Sequence, residues 1–595
     1  TALNLYDTID GGNGTDSVVF TVAGSTLKST ITNVENATAT FGQAAGGGID
    51  ASSMSMTTYD IKASADGNDG SIINLDTGVT LKLTDGKLDD LSVDLKTTGG
   101  AVTVKVGSAG TVITVGDLTF TDASAISIEA TGSGANVVDA LVATDSDVKA
   151  ITINASGGEG DLTLSSATAA GLTTLSLAAN GSASLTINSN TNLLLGASAI
   201  TSMTVAGSGS GADITVADLF GSAKSLSTIT VNGTAAADIT LGDIVYGQST
   251  AQNTVTQNIT MGTESVFLGS GVAATGLNVT LNLTTQGSGI IRYGSATVSN
   301  AGSGSAAVLS INAAVGTGGE IEVSGISMSG GSSDLTLGTL TVAASGTLDI
   351  GSGAGINFYN AAGAGTGRVS DIAMTLGTGA EASIGAIAAS GSGRMGNITL
   401  SLGVGASADL GTVAFATAGG GESGIGSIGE YAITVAGGND AGGSAAGVDI
   451  HEATASRIGA VTITVNGTAD VTFDQLAATA GSIGDITISA ATGATVSVGS
   501  GTTSTAGLAA SAMGAIVVSG AGTVVIGNIT ATTMGDIDAT RMASAGSLTV
   551  NLAGVANRVT VNGGNGTLVV QSSVGNDTFN LKSGAGDDTI RFGDT

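Results

Sequence analysis

The chain has 595 residues, 97 of them Gly, with 42% hydrophobic residues and no Pro, Cys or Trp. Acidic residues outnumber basic ones 47 to 16, a formal net charge of −31, which excludes the basic footprint of a nucleic-acid binder and repels an anionic membrane surface. The lack of Cys excludes disulfides, zinc thiolates and thiol catalysis, and so much Val, Ile, Leu and Ala among glycines is not the composition of a disordered linker.

The first hundred residues open on Asp7-Thr8-Ile9-Asp10-Gly11-Gly12-Asn13-Gly14-Thr15-Asp16-Ser17-Val18-Val19. Residues 11–19 fit the nonapeptide G-G-x-G-x-D-x-U-x, where U is a large apolar residue, at every fixed position. In such a repeat the glycines allow a tight turn with φ > 0. The turn's carbonyls and the Asp carboxylate face a Ca²⁺, and the apolar residue starts a short strand. Asp7, Asp10, Gly12, Gly14 and Asp16 are therefore candidate ligands. Asp66-Gly67-Asn68-Asp69-Gly70 is a second candidate cation loop through Asp66, Asn68 and Asp69, with an Asx-rich turn as its plainer reading. The same two readings apply to Asp85, Asp89 and Asp90.

Residues 101–550 repeat loosely. A large apolar residue, two spacers and a strand-like alternation recur at Val148–Ile153, Leu172–Leu177, Ile200–Val205 and Leu226–Val231. Further on a Gly takes the second place: Ile384-Gly385, Met395-Gly396, Ile428-Gly429, Ile458-Gly459, Ile483-Gly484, Met513-Gly514 and Met534-Gly535. A drifting period of roughly 20 to 30 residues with β-branched alternation predicts a parallel β-helix. Turns such as Asn232-Gly233 and Asn466-Gly467 separate the strands, and no Pro interrupts a ladder. The Gly-rich stretch Gly419–Gly447 is a candidate side loop. A leucine-rich repeat shares the spacing, but its Asn ladder and helical segments are missing from the pattern.

Residues 551–595 shift back toward the nonapeptide. Gly563-Gly564-Asn565-Gly566-Thr567-Leu568 keeps the glycines but has Leu where Asp belongs, which predicts a turn without metal. Gly575-Asn576-Asp577-Thr578-Phe579 restores the acid. Residues 583–591 fit the nonapeptide with Ser583 for the first Gly, followed by Gly593-Asp594-Thr595. Asn576, Asp577, Gly584, Gly586, Asp587, Asp588 and Asp594 complete the candidate ligands. A β-roll holds each ion between successive turns, so a lone repeat near a chain end is half a site.

The fold expected is thus all-β, a long parallel β-helix or β-solenoid with β-roll turns at both ends, divided as 1–100, 101–550 and 551–595. No enzyme is expected. Glycan-cleaving β-helices need acids clustered with cations and aromatic platforms, whereas this chain has one His, no Trp and scattered basic residues. His451-Glu452 lacks the second His of H-E-x-x-H. Gly391-Ser392-Gly393-Arg394-Met395-Gly396 matches G-x-G-x-x-G without a β-α-β context. Asp145 and Asp147 read as surface or cation-binding acids. The start on Thr1 without a leader pattern points to a processed or excised part of a longer product.

The run from Asp7 to Asp16, with the loosely repeating Thr/Val/Ala/Gly strands behind it, resembles bacterial repeats-in-toxin surface-layer proteins. The specific motifs cover about residues 7–20 and 575–594, and the rest is a likeness of composition. The resemblance implies an extracellular protein on a Gram-negative cell, exported by type I secretion and assembled with calcium. It also implies Ca²⁺ ligation by Asp16 and Asp588 with carbonyls of adjacent glycines. The chain departs from that family in its few tandem nonapeptides and its lack of a recognisable secretion tail.

Set before the N-terminal run, the C-terminal run reads as a continuous β-roll sequence. The expected partner is a second copy of the chain, joined end to end with Ca²⁺ at the joint into a surface layer or filament. Cell-surface polysaccharide is a further expected partner; nucleic acid and membrane insertion are not. The rival functions are an adhesin or biofilm-matrix stalk and an ice-binding solenoid. The latter needs regular Thr-x-Thr rows, and Thr462-Ile463-Thr464 is followed by Thr487-Ile488-Ser489.

Overall fold

In the computed structural model the described residues are 3, 7–42, 47–85, 88–143, 147–156, 160–188, 200–217, 226–246, 254–299, 307–329, 332–351, 355–359, 366–390, 393–416, 426–438, 446–500, 507–582 and 586–592. Gly584, Asp594, Ser583, Asp145, Gly391 and Ser392, and residues 419–425 and 439–445 of the candidate side loop, lie outside them; between those two segments Ser427–Ile428 and Tyr431–Val435 are coil strands in register with their neighbours, not a side loop. The chain divides into two compact units, Thr1–Ala274 and Thr275–Thr595. Each is a parallel β-solenoid. The single described helix is one 3₁₀ turn, Ala51–Ser53, and no helix among the described residues is long and apolar enough to cross a membrane.

In the first unit the expected repeat is the coil itself. Ile151, Leu175, Met203 and Ile229 are register partners on successive coils, as are Ile153, Leu177, Val205 and Val231. The leading residues Val148, Leu172, Ile200 and Leu226 are all buried. Strand side chains alternate between the two faces of a sheet, so every second residue enters the coil interior. Each such Val, Leu or Ile contributes roughly 1.5–3 kcal/mol when fully buried. The narrow interior also explains why few large rings are used.

In the second unit the register runs Ile372, Ile398, Tyr431, Val461, Ile486, Ile516, Ile537, Val561 and Phe579. Just before these strands the glycines stack at a corner. A Cβ on Gly514 would run into Asp485 Oδ1 and lie 2.6 Å from the Asp485 amide nitrogen. Gly396, Gly429, Gly459, Gly484 and Gly535 sit equally tight against the preceding coil. Their neighbours tie the coils together: the Asp371 carboxylate accepts the Asn397 N–H at 2.7 Å, Asn397 Oδ1 that of Glu430 at 2.9 Å, and Asp485 that of Ala515 at 2.8 Å. Gly385 does not belong to this series. Its N–H meets the Ile350 carbonyl and Ile384 pairs with Leu410, so it marks a different corner.

Asn side chains pair across single coil steps without forming a ladder of fixed spacing. Asn180 donates to Asn154 at 2.9 Å, Asn312 to Asn282 at 2.8 Å and Asn580 to Asn562 at 2.8 Å, each across one coil step. These are isolated pairs at unequal sequence spacings, which a search for a fixed repeat does not find.

Candidate metal site and coil edges

The N-terminal turn has the backbone its glycines promise. Gly12 and Gly14 take φ of 79° and 137°, a region costly for residues with a Cβ. The turn is closed by its own acids. Asp10 Oδ1 accepts the Gly12 N–H at 3.1 Å and the Asn33 side-chain amide at 2.8 Å. The Asn33 amide first, and the Gly12 N–H second, hold the Asp10 carboxyl below its usual range. The Asp7 carbonyl accepts the Thr30 N–H at 3.0 Å.

Asp16 lies immediately before the strand Ser17–Val22. Its N–H donates to Glu35 Oε2, one coil on, at 2.7 Å, and its carbonyl accepts the Asn36 N–H at 3.1 Å. Its own carboxylate is different: Oδ2 is buried and has no hydrogen-bond partner among the described residues. A buried carboxylate oxygen left unmatched costs free energy comparable to a lost charged hydrogen bond. One carboxylate oxygen beside a glycine turn is oxygen chemistry of the kind Ca²⁺ takes, short of the roughly six to eight ligands that ion needs.

At the other end the acids are spent differently. Asp577 Oδ1 accepts the Val559 N–H, one coil back, at 3.0 Å and the Ser573 hydroxyl, while Oδ2 accepts the Ser573 N–H at 2.7 Å. Asp588 Oδ1 accepts the Leu568 N–H at 3.0 Å. Gly586 packs so closely that a Cβ there would strike the Gly566 carbonyl. Asn576 and Asp587 are exposed.

The second candidate loop opens the strand Asn68–Leu75. Asp66 is exposed and Asp69 half-buried, but Asn68 turns inward and donates to the Phe41 carbonyl at 3.1 Å and to Ser64 Oγ at 3.3 Å. Asn68 is thus a core hydrogen-bonding residue, and the loop does not bring its three oxygen-bearing side chains together. Asp85 likewise caps the Ala63 N–H at 3.1 Å. Among the described residues no three acidic or His side chains converge as a metal cluster.

One concave stretch of the second unit, about 430 Å³, is lined by Asp349, Glu381, Asp409, Asp449 and Asp470, with no Lys or Arg among its described residues. His451 lies beside it on the strand Ala446–Ala455, with Nε2 3.3 Å from Asp409 and Nδ1 3.6 Å from Asp474. Burial pushes the Asp449 carboxyl up; His451 opposes this, while Asp474 and Asp409 add to it. The stretch is an acid-lined groove.

The coil edges complete the picture. The strands Thr8–Asp10 and Ser17–Val22 each pair on one side only among the described residues, and so do Thr578–Asn580 and Thr589–Arg591. Their inward apolar residues Ile9, Val18, Phe579 and Ile590 are only half-buried. The register partners one coil further in, Ile31, Ala37, Val561 and Val570, are fully buried. Val19, Val574 and Phe592 beside these edges are 72%, 77% and 75% exposed.

The sequence reading missed Glu35, Asn33 and Ser573. The signal for the first was present: an acid stands directly before a strand in Asp16-Ser17-Val18, Glu35-Asn36-Ala37, Asp577-Thr578-Phe579 and Asp588-Thr589-Ile590. Comparison with protein-family models, curated proteins and solved structures found no match.

Proposed function

We propose that this is a structural, extracellular protein of a bacterial surface that self-assembles end to end into a lattice or filament, with Ca²⁺ at the joint. The observation that carries the reading is that the strands at the two coil edges pair on one side only among the described residues, with Ile9, Val18, Phe579 and Ile590 half-buried. Solenoid ends are ordinarily capped, because an open edge is a template for another strand. A head-to-tail contact that does not close on itself builds an open array. Asp16, with the Gly12 and Gly14 carbonyls, would supply one half of the ion's shell. Asp587 and the Gly586 carbonyl are the matching groups at the opposite edge. The ion would neutralise carboxylates brought together at the joint.

Electron microscopy and sedimentation of the purified chain test this directly. Ordered assemblies with Ca²⁺ that dissolve in EDTA are the expected result. A chain that stays monomeric in both conditions overturns it. Localisation to the cell surface is tested by surface proteolysis of intact cells of the source bacterium.

A further inference from the structure

Charge is sorted between the faces of the second unit. The strands Ile372–Leu376, Ile398–Leu402, Tyr431–Val435, Val461–Val465 and Ile486–Ala490 alternate buried and outward residues and are in register coil by coil. One outward row runs Thr375, Ser401, Thr434, Thr464, Ser489 and Ser519, all hydroxyl residues. The row beside it runs Ala373, Thr399, Ala432 and Thr462, then Thr487 and Val517. Neither row holds a charge until Asp538 and Arg541 on the next coil. The acids stand elsewhere. Glu381, Asp409 and Asp449 line the groove on the strands that follow, and Asp371, Glu430 and Asp485 stand at the corner on the rim of the hydroxyl face.

We infer that this uncharged face is where a second copy of the chain docks, face to face and with its coils running the opposite way, about a two-fold axis between the strands Ile398–Leu402 and Tyr431–Val435. This rests on the assembly proposed above and supplies its lateral contact. Chains of net charge −31 repel one another, and a face without charges is where two of them approach at least cost. The side chains are self-complementary about that axis, as a contact between identical patches requires. Thr399 meets the partner's Ala432, and Ala373 the partner's Thr462, so each larger side chain faces a smaller one. Ser401 meets the partner's Thr434, and Thr375 the partner's Thr464, hydroxyls that both donate and accept. On the rim Asn397 meets the partner's Glu430, and Asp371 the partner's Ala460, so over these coils no acid stands opposite an acid.

Size explains why the contact needs the end-to-end joint. At about 4.8 Å per coil and about 3.3 Å per residue, the face offers roughly 500 Å² on each copy. A specific interface takes about 800 Å² per partner, so this one is too small to hold two free chains. Repeated along an array it acts at every chain at once, and pairing sets in when the array has formed. The rows hold no aromatic ring on which a sugar could stack, which favours a second copy over cell-surface polysaccharide as the occupant.

Electron microscopy of the parent chain in excess Ca²⁺ is expected to show arrays associated in pairs. Ala432→Lys sets a charge at the centre of the face and is expected to give single arrays with unchanged end-to-end order. Ser383→Lys, in register between Asp349 and Asp409 on the acid-lined strands, is the control and is expected to pair like the parent. The chain has no Cys, so the register is open to cross-linking. Ala373→Cys with Thr462→Cys on one chain, treated with a bis-maleimide shorter than the three coil steps between them, about 14 Å, is expected to give several-fold more covalent dimer than Thr462→Cys alone. Equal yields overturn the antiparallel register. Paired arrays from Ala432→Lys, or single arrays from the parent, overturn the face contact and leave the end-to-end joint standing. Loss of binding to isolated cell-surface polysaccharide in Ala432→Lys, with pairing kept, overturns the second copy as occupant. A parent chain that stays monomeric in excess Ca²⁺ overturns the assembly itself and this contact with it.

Discussion

The carboxylate of Asp577 accepts the backbone N–H of Val559, one coil back, at 3.0 Å, and its second oxygen takes the N–H of Ser573 at 2.7 Å. The residue that reads in the sequence as a calcium ligand is in the structure a clamp between coils. Asp577→Ala is expected to cost about 1.5–3 kcal/mol in the last coils, because charged hydrogen bonds are lost and donors stay behind unmatched. Asp577→Asn should cost less. Hydrogen exchange at Val559 measures both, and unchanged protection in the Ala variant would remove the clamp.

Gly514 packs against Asp485 with no room for a Cβ, and the obstruction includes the Asp485 backbone nitrogen at 2.6 Å. Gly514→Ala should therefore destabilise the second unit by about 1–3 kcal/mol, the usual range for overpacking. Gly563, which has no positive φ and where a Cβ would meet Leu581 at 3.4 Å, is the control for crowding. Urea denaturation of Gly514→Ala and Gly563→Ala compares the two: a loss at Gly514 no larger than at Gly563 would show that crowding is not what selects glycine at the corner.

Tyr431 is fully buried, with its ring edge-to-face on Phe473 at 5.4 Å, and its hydroxyl has no partner among the described residues. Burial pushes the phenol well above its usual range. Tyr431→Phe keeps the ring contact and removes the unmatched hydroxyl, so the variant should be as stable as the parent or more stable by about 1 kcal/mol. Tyr431→Ala should lose about 3–5 kcal/mol. A Phe variant that unfolds at clearly lower urea would point to a partner for the hydroxyl.

Asp50 sets an acid limit for the first unit. Burial alone would raise its carboxyl, but the Ser52 hydroxyl and N–H, the Asn74 amide and the Lys28 ammonium at 3.1 Å outweigh it and hold it at about 2. A carboxyl depressed on folding stabilises fully above its unfolded value and loses that contribution as pH falls through the folded one. Melting temperature should thus fall between about pH 4 and pH 2. Asp50→Asn should be less stable than the parent at pH 6 and flatter across that window. Parallel curves would exclude Asp50 as a source of the slope.

The solenoid was legible because its determinants are local and repeated. Val148–Ile153 and its successors show inward residues at alternate positions, and the coil step follows from their recurrence. The Gly column was legible as a pattern but not as a cause; only stacking shows that Gly514 faces Asp485. The same pattern misled at Gly385, since a Gly after an Ile marks any tight corner. At the ends the motif gave the turn correctly, with Gly12 and Gly14 left-handed, but not what the acids bind. Asp10, Asp577 and Asp588 each find backbone or amide donors that lie 18 to 23 residues away in sequence.

By itself, the sequence determined the strand class, the narrow apolar interior and the tight glycine turns, because alternation and backbone freedom are properties of neighbouring residues. Only the tertiary structure decided which oxygen of which acid is satisfied. Parallel stacking brings residues a coil apart into hydrogen-bond range, and the coil length varies too much for spacing alone to reveal the pairs. It is that stacking which completes Asp577 within the chain and leaves the buried Oδ2 of Asp16 without a donor among the described residues.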